Sequence, residues 1–117
     1  TLRGIFKQFK WKQGKGGGSS SGLLETTDYF GLPPEKAIFG SATFSYSDEA
    51  ALYAQWEWYQ TASNRIKKLS DTGSASFWWE CSPTLGDSDY FCSVRSDGSA
   101  VIYYASYTNG LAPFGCI

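Results

Sequence analysis

Few side chains in this 117-residue chain are suited to chemistry. Histidine is absent, which removes the Ser-His-Asp and Cys-His arrangements together with imidazole acid-base catalysis. Asp87 and Asp89 stand two apart in a loop-like stretch, where paired carboxylates can bind a cation or act as acid and base. A calcium site needs more oxygen ligands than this pair supplies, so the two read first as solvated loop acids. Three cysteines, Cys81, Cys92 and Cys116, leave at least one thiol unpaired in a monomer. No C-x-x-C spacing occurs, so the sequence argues against a zinc site, and no metal or cofactor is expected. Cys92 and Cys116 lie in apolar, strand-like runs and read as buried small hydrophobes of a reducing compartment rather than as a disulfide.

What remains is recognition chemistry. Thr84, Asp87, Asp89, Arg95, Tyr103, Tyr104, Tyr107 and Asn109 fall in a stretch rich in Tyr, Ser, Asp, Asn and Thr. Tyrosine offers a large, stiff, amphipathic contact area at low entropic cost, while the small polar residues offer adaptable hydrogen bonding. Cys81 and Phe114 are further candidates for contact with a ligand.

The frame that must hold these positions is written into the same segment, 77–117. It comprises Trp78-Trp79, Ser82-Pro83, Phe91-Cys92-x-Val94, Asp97-Gly98-x-Ala100 and Gly110-Leu111-Ala112-Pro113, ending in Cys116-Ile117. If Trp79 belongs to that frame, Trp79→Ala costs roughly 3–5 kcal/mol, whereas Tyr103→Ala and Tyr107→Ala weaken binding and spare the fold. From Cys81 to Ile117 there is no Lys, Gln, Glu, Met or Trp, although the first eighty residues use all of these except Met. Short strands and turns favour Tyr, Ser, Asp, Asn and Gly, which accounts for part of this. The five missing types also share one trait: none has a codon ending in a pyrimidine.

The runs W-W-E-x-S-P at 78–83, F-C-x-V-x-x-D-G-x-A at 91–100 and G-L-A-P-x-x-C-I at 110–117 resemble the DUF6273 family. Those are bacterial and prophage proteins with a C-type-lectin-like fold, similar to the formylglycine-generating-enzyme branch of that fold. The resemblance covers mainly 64–117, with a weaker echo from Leu23 onward and no matched motif in 1–22. Some family members are variable proteins of diversity-generating retroelements, in which adenines of Asn-type codons are randomised. The resemblance therefore implies randomisation at pyrimidine-ending codons. Where the family usually reads W-W-E-R-S-P this chain has Cys81, which marks Cys81 as a diversified position rather than frame. The active cysteines of the formylglycine-generating enzyme have no positional match here.

Composition bounds the rest. One domain, 1–117, is the natural count for this length. Aromatics make up 18% of the residues, more than a core of this size needs, so many must line a surface or groove. Net charge is −1, giving no global field for nucleic acid. Its distribution is uneven: 1–22 holds Arg3, Lys7, Lys10, Lys12 and Lys15 and no acid, while 77–117 sets Arg95 against Glu80, Asp87, Asp89 and Asp97. The two ends can attract each other, or the basic arm can meet something acidic. No run approaches the length of a membrane span and no signal peptide is visible. The start at Thr1 rather than Met fits a processed or trimmed portion of something longer.

Along the chain, Leu2 to Lys12 carries both helical and alternating spacing, and the alternation Phe9-Lys10-Trp11-Lys12 favours a strand. Lysines interleaved with aromatics can serve nucleic acid, but a half-buried strand with a solvated Lys edge explains them more simply. Gly14 to Gly22 is flexible by composition, a linker or a long hairpin loop. Leu23 to Phe30 reads as a strand, Pro33 to Gly40 as one or two helical turns with Pro at the start and Gly past the end, and Ser41 to Tyr46 as extended. Ser47 to Gln60 reads as the main helix, with Ser47 as N-cap, Asp48 and Glu49 at the positive end of the dipole, and Leu52, Trp56 and Tyr59 on one face. Arg65 is positioned to pair with Glu80 or Asp97. Short strands follow at 77–80, 90–94, 99–104 and 111–116, with hairpin turns at Asp97-Gly98 and Asn109-Gly110. Alternation turns Cys92, Val94, Ala100 and Ile102 inward and Ser93, Arg95, Ser99, Val101 and Tyr103 outward.

These readings predict an α+β, C-type-lectin-like fold: one main helix packed on short, mostly antiparallel strands, with a loop-rich C-terminal half. Residues 1–22 form a basic strand plus a Gly/Ser-rich loop, and 77–117 form the variable, ligand-binding region. The expected function is non-enzymatic binding of a protein or glycan, without nucleic acid or membrane insertion, at a bacterial surface or on a phage virion. The alternatives are a fixed-sequence virion subunit that self-associates and a carbohydrate-active enzyme using acidic loop residues.

Overall fold

The computed structural model describes residues 2–16, 22–71 and 73–117, so the middle of the Gly/Ser-rich stretch and Thr72 lie outside the described residues. One helical turn, α1 (Leu2–Ile5), precedes the strands β1 (Phe9–Gly14) and β2 (Leu23–Asp28). These pair antiparallel from Phe9↔Asp28 to Gly14↔Leu23. The alternation read in the sequence places Phe9 and Trp11 half-buried and Lys10 and Lys12 in solvent. The Trp11 indole N–H and the Thr26 hydroxyl both donate to Asp28 Oδ2, at 2.8 and 2.6 Å. Those hydrogen bonds, Thr26's foremost, hold the Asp28 carboxyl below the usual aspartate range.

The chain then enters β3 (Phe30–Gly31) and α2 (Glu35–Phe39). As the punctuation predicted, α2 follows Pro33-Pro34 and ends at Gly40, whose φ of 76° requires glycine and whose N–H caps the Lys36 carbonyl. Ser41 to Tyr46, expected to be extended, instead runs as a series of bends. Their backbone is held by Glu35: the carboxylate accepts from the N–H groups of Phe44 and Ser45 and from the Ser45 hydroxyl.

The expected main helix does not form, and with it goes the predicted architecture of a single helix packed on strands. Among the described residues no helix reaches seven residues, and the structure consists mostly of small antiparallel sheets. Ser47 to Gln60 divides into two short turns, α3 (Ser47–Ala50) and α4 (Glu57–Gln60). The N-cap position of α3 is Tyr46 rather than Ser47. The physical reason lies at the end of α2, where a helix leaves its last carbonyls without intrahelical donors. The Trp56 N–H donates to the Ala37 carbonyl at 2.8 Å, and the Gln55 side-chain amide donates to those of Ile38 and Tyr59. Residues 53–56 satisfy another element's carbonyls, and a continuous helix cannot do both. Leu52 is left 45% exposed, off the face it was expected to share with Trp56 and Tyr59.

After a 3-10 turn at Ala62–Arg65, two-residue strands β4 (Lys67–Lys68) and β5 (Ala75–Ser76) pair with each other. The main sheet is β6 (Trp78–Pro83), β7 (Tyr90–Val94) and β8 (Ala100–Tyr104) in the order β6-β7-β8, all antiparallel. The chain closes with β9 (Phe114–Gly115) against β3, and Cys116 bridges to Lys7. Thus 111–116 is a strand only at its end, and Cys116 is exposed rather than buried. Asn109-Gly110 is no hairpin turn: Gly110 runs parallel to the start of β6, its N–H on the Phe77 carbonyl and its carbonyl accepting from Trp79 N–H.

Ile38, Tyr59, Trp78 and Val94 form the buried core, with Phe39, Trp56 and Ala112 packed against it. A continuous path of rings extends it: Trp78 stacks on Tyr59, Tyr59 on Trp56, and Trp56 meets Phe114 edge-on, which in turn touches Phe9 and Trp11. Aromatics that exceed one core's needs thereby join the first hairpin to the sheet. Arg65 does not pair with Glu80. Its Nε donates to the Tyr59 carbonyl and its guanidinium lies over the Phe39 ring, while the Glu80 carboxyl has no hydrogen-bond partner among the described residues.

The Asp97-Gly98 turn joins β7 to β8 as expected, closed by Arg95 N–H to the Ser99 carbonyl. Gly98 has a φ of 87°, and a Cβ there would meet Ile66 Cγ1 at 3.2 Å. Gly98→Ala is therefore expected to lower stability by about 1–2 kcal/mol, read as a shift of the urea midpoint at unchanged slope.

Candidate functional site

The β7–β8 hairpin assembles the site. Its register pairs Tyr90 with Tyr104 and Phe91 with Tyr103. Because β8 is the edge strand, its side chains meet no further strand beyond it. The Tyr90 and Tyr104 rings lie 4.2 Å apart between centroids. Tyr103 meets Phe77 at 5.1 Å on the other face. The turn after β8, closed by Tyr107 N–H to the Tyr104 carbonyl, folds Tyr107 back over the edge. There its ring touches both Tyr103 at 5.0 Å and Tyr104 at 5.9 Å. Four tyrosines thus form one aromatic ridge, with Tyr104 44% and Tyr107 50% exposed. The hydrogen bond to Tyr104 is the largest cause that pushes the Tyr90 phenol up to about 12, so Tyr90 stays neutral at physiological pH.

Asp87 and Asp89 lie on the loop beside this ridge. Asp87 Oδ1 accepts from the Asp89 N–H, and the Asp89 carbonyl accepts from Ala105 N–H, which ties the loop to the turn after β8. Ser88, Asp89, Tyr104, Ala105 and Ser106 line an open hollow of about 310 Å3. Six expected residues therefore sit near one another: Asp87, Asp89, Tyr103, Tyr104 and Tyr107 around the ridge, and Asn109 at the end of its loop, half-buried with its side-chain N–H2 unpartnered.

The other four expected positions lie elsewhere. Arg95 is exposed at the opposite end of β7, five residues and about 17 Å from Tyr90. Thr84 is 5% exposed, beneath the surface. Phe114 is half-buried among Phe9, Trp11 and Trp56. Cys81 lines a separate groove of about 330 Å3 on the sheet, with Leu32, Trp79 and Phe91. Burial, foremost, pushes its thiol well above the ordinary cysteine value, which keeps it protonated and unreactive. Two residues assigned outward are interior: Ser93 is 0% and Val101 9% exposed, so both faces of the sheet are covered near its middle.

Sequence reasoning passed over Tyr90 as a site residue. A signal existed: a hairpin centred on Asp97 places Tyr90 as far before the turn as Tyr104 lies after it. It also missed a polar interior. Ser82 Oγ accepts from Glu35 N–H at 2.9 Å and donates to Glu49 Oε1, while Glu49 Oε2 accepts from Gly14 N–H. Glu35, Glu49 and Glu80 are 0%, 1% and 2% exposed. Nothing in the local sequence separates these glutamates from surface ones, because their partners lie up to 47 residues away.

No family model, curated protein or solved structure matches the chain. Among the described residues, no helix is long and apolar enough to cross a membrane.

Proposed function

We propose that the protein is a non-enzymatic binding module that recognises a protein or glycan through the tyrosine ridge at the β8 edge and its two flanking loops. The observation that carries this reading is the ridge itself, four phenols gathered at an open edge with two carboxylates beside them. Stacked phenols present apolar faces and polar rims whose side-chain entropy is already spent, a favourable composition for contact with sugar rings or with another protein. The loops that frame it, 85–89 and 105–109, contribute no ring to the buried core. That separation of frame from surface is what the DUF6273-like motifs imply for a retroelement-diversified protein of a prophage or bacterial surface.

An array of immobilised glycans and a panel of cell-surface proteins, probed with the labelled chain, tests the reading. Tyr104→Ala combined with Tyr107→Ala is expected to reduce whatever binding is found by more than about tenfold, since each anchoring aromatic contributes roughly 1–2 kcal/mol or more. Its melting temperature should stay within a few degrees of the parent. Unchanged binding by that variant would sink the site. Sequencing the gene across isolates tests diversification separately: a nearby near-identical repeat carrying adenines where copies differ supports it, and an invariant segment removes it.

A second reading, subunit packing in a virion, draws on one observation. Leu69 and Leu111 are 73% and 68% exposed and line the same hollow with Phe77 and Trp78. Sedimentation as a stable oligomer that dissociates on Leu111→Asp would favour it.

A further inference from the structure

Glu35, Glu80 and Cys92 belong to α2, β6 and β7, yet one donor atom from each lies within 4.8 Å of the others. All three are closed off from solvent, at 0%, 2% and 0% exposure. The irregularity between Trp79 and Pro83 in the β6–β7 pairing helps to place them. Trp78 pairs directly with Val94, so Glu80, two residues on along β6, shares the face of the sheet that carries Val94 and Cys92. Glu35 is brought in by the hydrogen bond from its N–H to Ser82 Oγ, and its carboxylate is held by the Phe44 and Ser45 N–H groups and the Ser45 hydroxyl.

Two observations separate this cluster from a set of acids that happen to be near one another. Both oxygens of Glu80 are buried without a hydrogen-bond partner among the described residues, which is rare for a native carboxyl. Protonation alone does not resolve this, since an O–H and a C=O would each still be unpaired. The Thr84 hydroxyl is buried as well, and its polar contact is with the Cys92 sulfur. Four polar groups from α2, β6, β7 and the residue after β6 therefore converge on one interior point.

We propose that Glu35, Glu80 and Cys92 form a structural site for one divalent transition-metal cation. The donor set selects zinc: it accepts thiolate and carboxylate together in four-coordinate geometry, whereas calcium and magnesium take oxygen ligands alone. Tetrahedral oxygen and sulfur donors with zinc-like bonds stand about 3.3–3.5 Å apart, so the widest pair here closes by no more than roughly 1.5 Å, within reach of carboxylate rotation. The sequence argued against zinc because ligand spacing along the chain was absent. The site instead draws on residues 35, 80 and 92, which only the folded sheet brings together. Coordination needs a thiolate and ionised carboxylates, so the protons of Cys92 and of buried Glu80 pass to buffer as the metal enters. All the ligands are buried, which makes the role structural and independent of the tyrosine ridge.

The test uses the full chain produced in zinc- or cobalt-supplemented medium and passed through a chelating column. One metal per chain should remain, and the cobalt form should show a near-ultraviolet thiolate-to-cobalt charge-transfer band. Cys92→Ser should abolish the band, while Cys116→Ser, at an exposed thiol, should leave it intact. Glu80→Gln keeps the side chain's shape and should remain folded by circular dichroism. It should lose metal affinity by at least the roughly 10–100-fold seen when supporting residues are removed. A folded chain with no retained metal and no band would overturn the site, as would a band that survives Cys92→Ser or disappears with Cys116→Ser. Glu80→Gln that melts higher than the parent, with no response to zinc, would assign Glu80 as a neutral interior acid and overturn it equally.

Discussion

Trp78→Ala is expected to leave little folded protein at 37 °C. The side chain is 1% exposed, stacks on Tyr59 at 6.0 Å, and donates its indole N–H to the Arg65 carbonyl at 2.8 Å. It is the point where the path of rings from the first hairpin enters the main sheet. Truncation removes the largest buried side chain of the core and leaves a cavity, a loss of about 3–5 kcal/mol. The unpaired Arg65 carbonyl adds about 1 kcal/mol. Lys67 suffers too: its ammonium lies 5.4–5.9 Å from the rings of Trp58, Tyr59 and Trp78, and it would lose one of the three. Against a total stability of roughly 5–15 kcal/mol for a domain, such a sum is decisive. Urea unfolding followed by circular dichroism reads it, and a loss below about 1 kcal/mol would contradict the account. Trp79→Ala should cost less, because Trp79 is only partly buried and lines the open groove with Leu32 and Phe91. The two tryptophans are adjacent in sequence, but the pleat sends them to opposite faces.

Ser82→Ala is the second large effect. One hydroxyl serves two buried groups, accepting from the Glu35 N–H and donating to the Glu49 carboxyl. Its removal adds no bulk and opens almost no cavity, so a hydrophobic account predicts near neutrality. The hydrogen-bond account predicts about 2–4 kcal/mol, because a buried N–H and a buried carboxyl oxygen each lose a partner. Glu49 remains tied to Gly14 N–H, which limits the damage to one of its oxygens. The same melts decide between the two accounts. Ser82→Thr, which keeps the hydroxyl, should recover part of the loss, and a variant as stable as the parent would remove the network from the energetics of the fold.

Several elements were legible because their causes are local. The α2 turn follows from Pro33-Pro34 and Gly40, the half-buried β1 from alternation of Phe9 and Trp11 with Lys10 and Lys12, and the β7–β8 hairpin from Asp97-Gly98. The tyrosine-rich segment was legible by composition, and most of its expected contact residues gather at one edge. The main helix was misread for a non-local reason. Asp48 and Glu49 do sit in a first helical turn, although its cap is Tyr46 rather than Ser47, but the N–H of Trp56 and the amide of Gln55 are drawn to carbonyls of α2, some 17–19 residues back. Helix propensity amounts to tenths of a kcal/mol per residue, too little to outweigh a helix terminus left unsatisfied in the interior.

The sequence by itself determined the chemistry available: no imidazole, three thiols, an excess of aromatics, and a C-terminal stretch of tyrosines and small polar residues. The tertiary structure alone decided which of these groups face water. It carried Thr84 inside and Phe114 into the path of rings, left Cys116 outside, and gathered Glu35, Glu80 and Cys92 at one interior point. The reason is physical. Composition and alternation act between neighbours along the chain, whereas burial is set by what packs across from a residue, and those partners come from elements dozens of positions away.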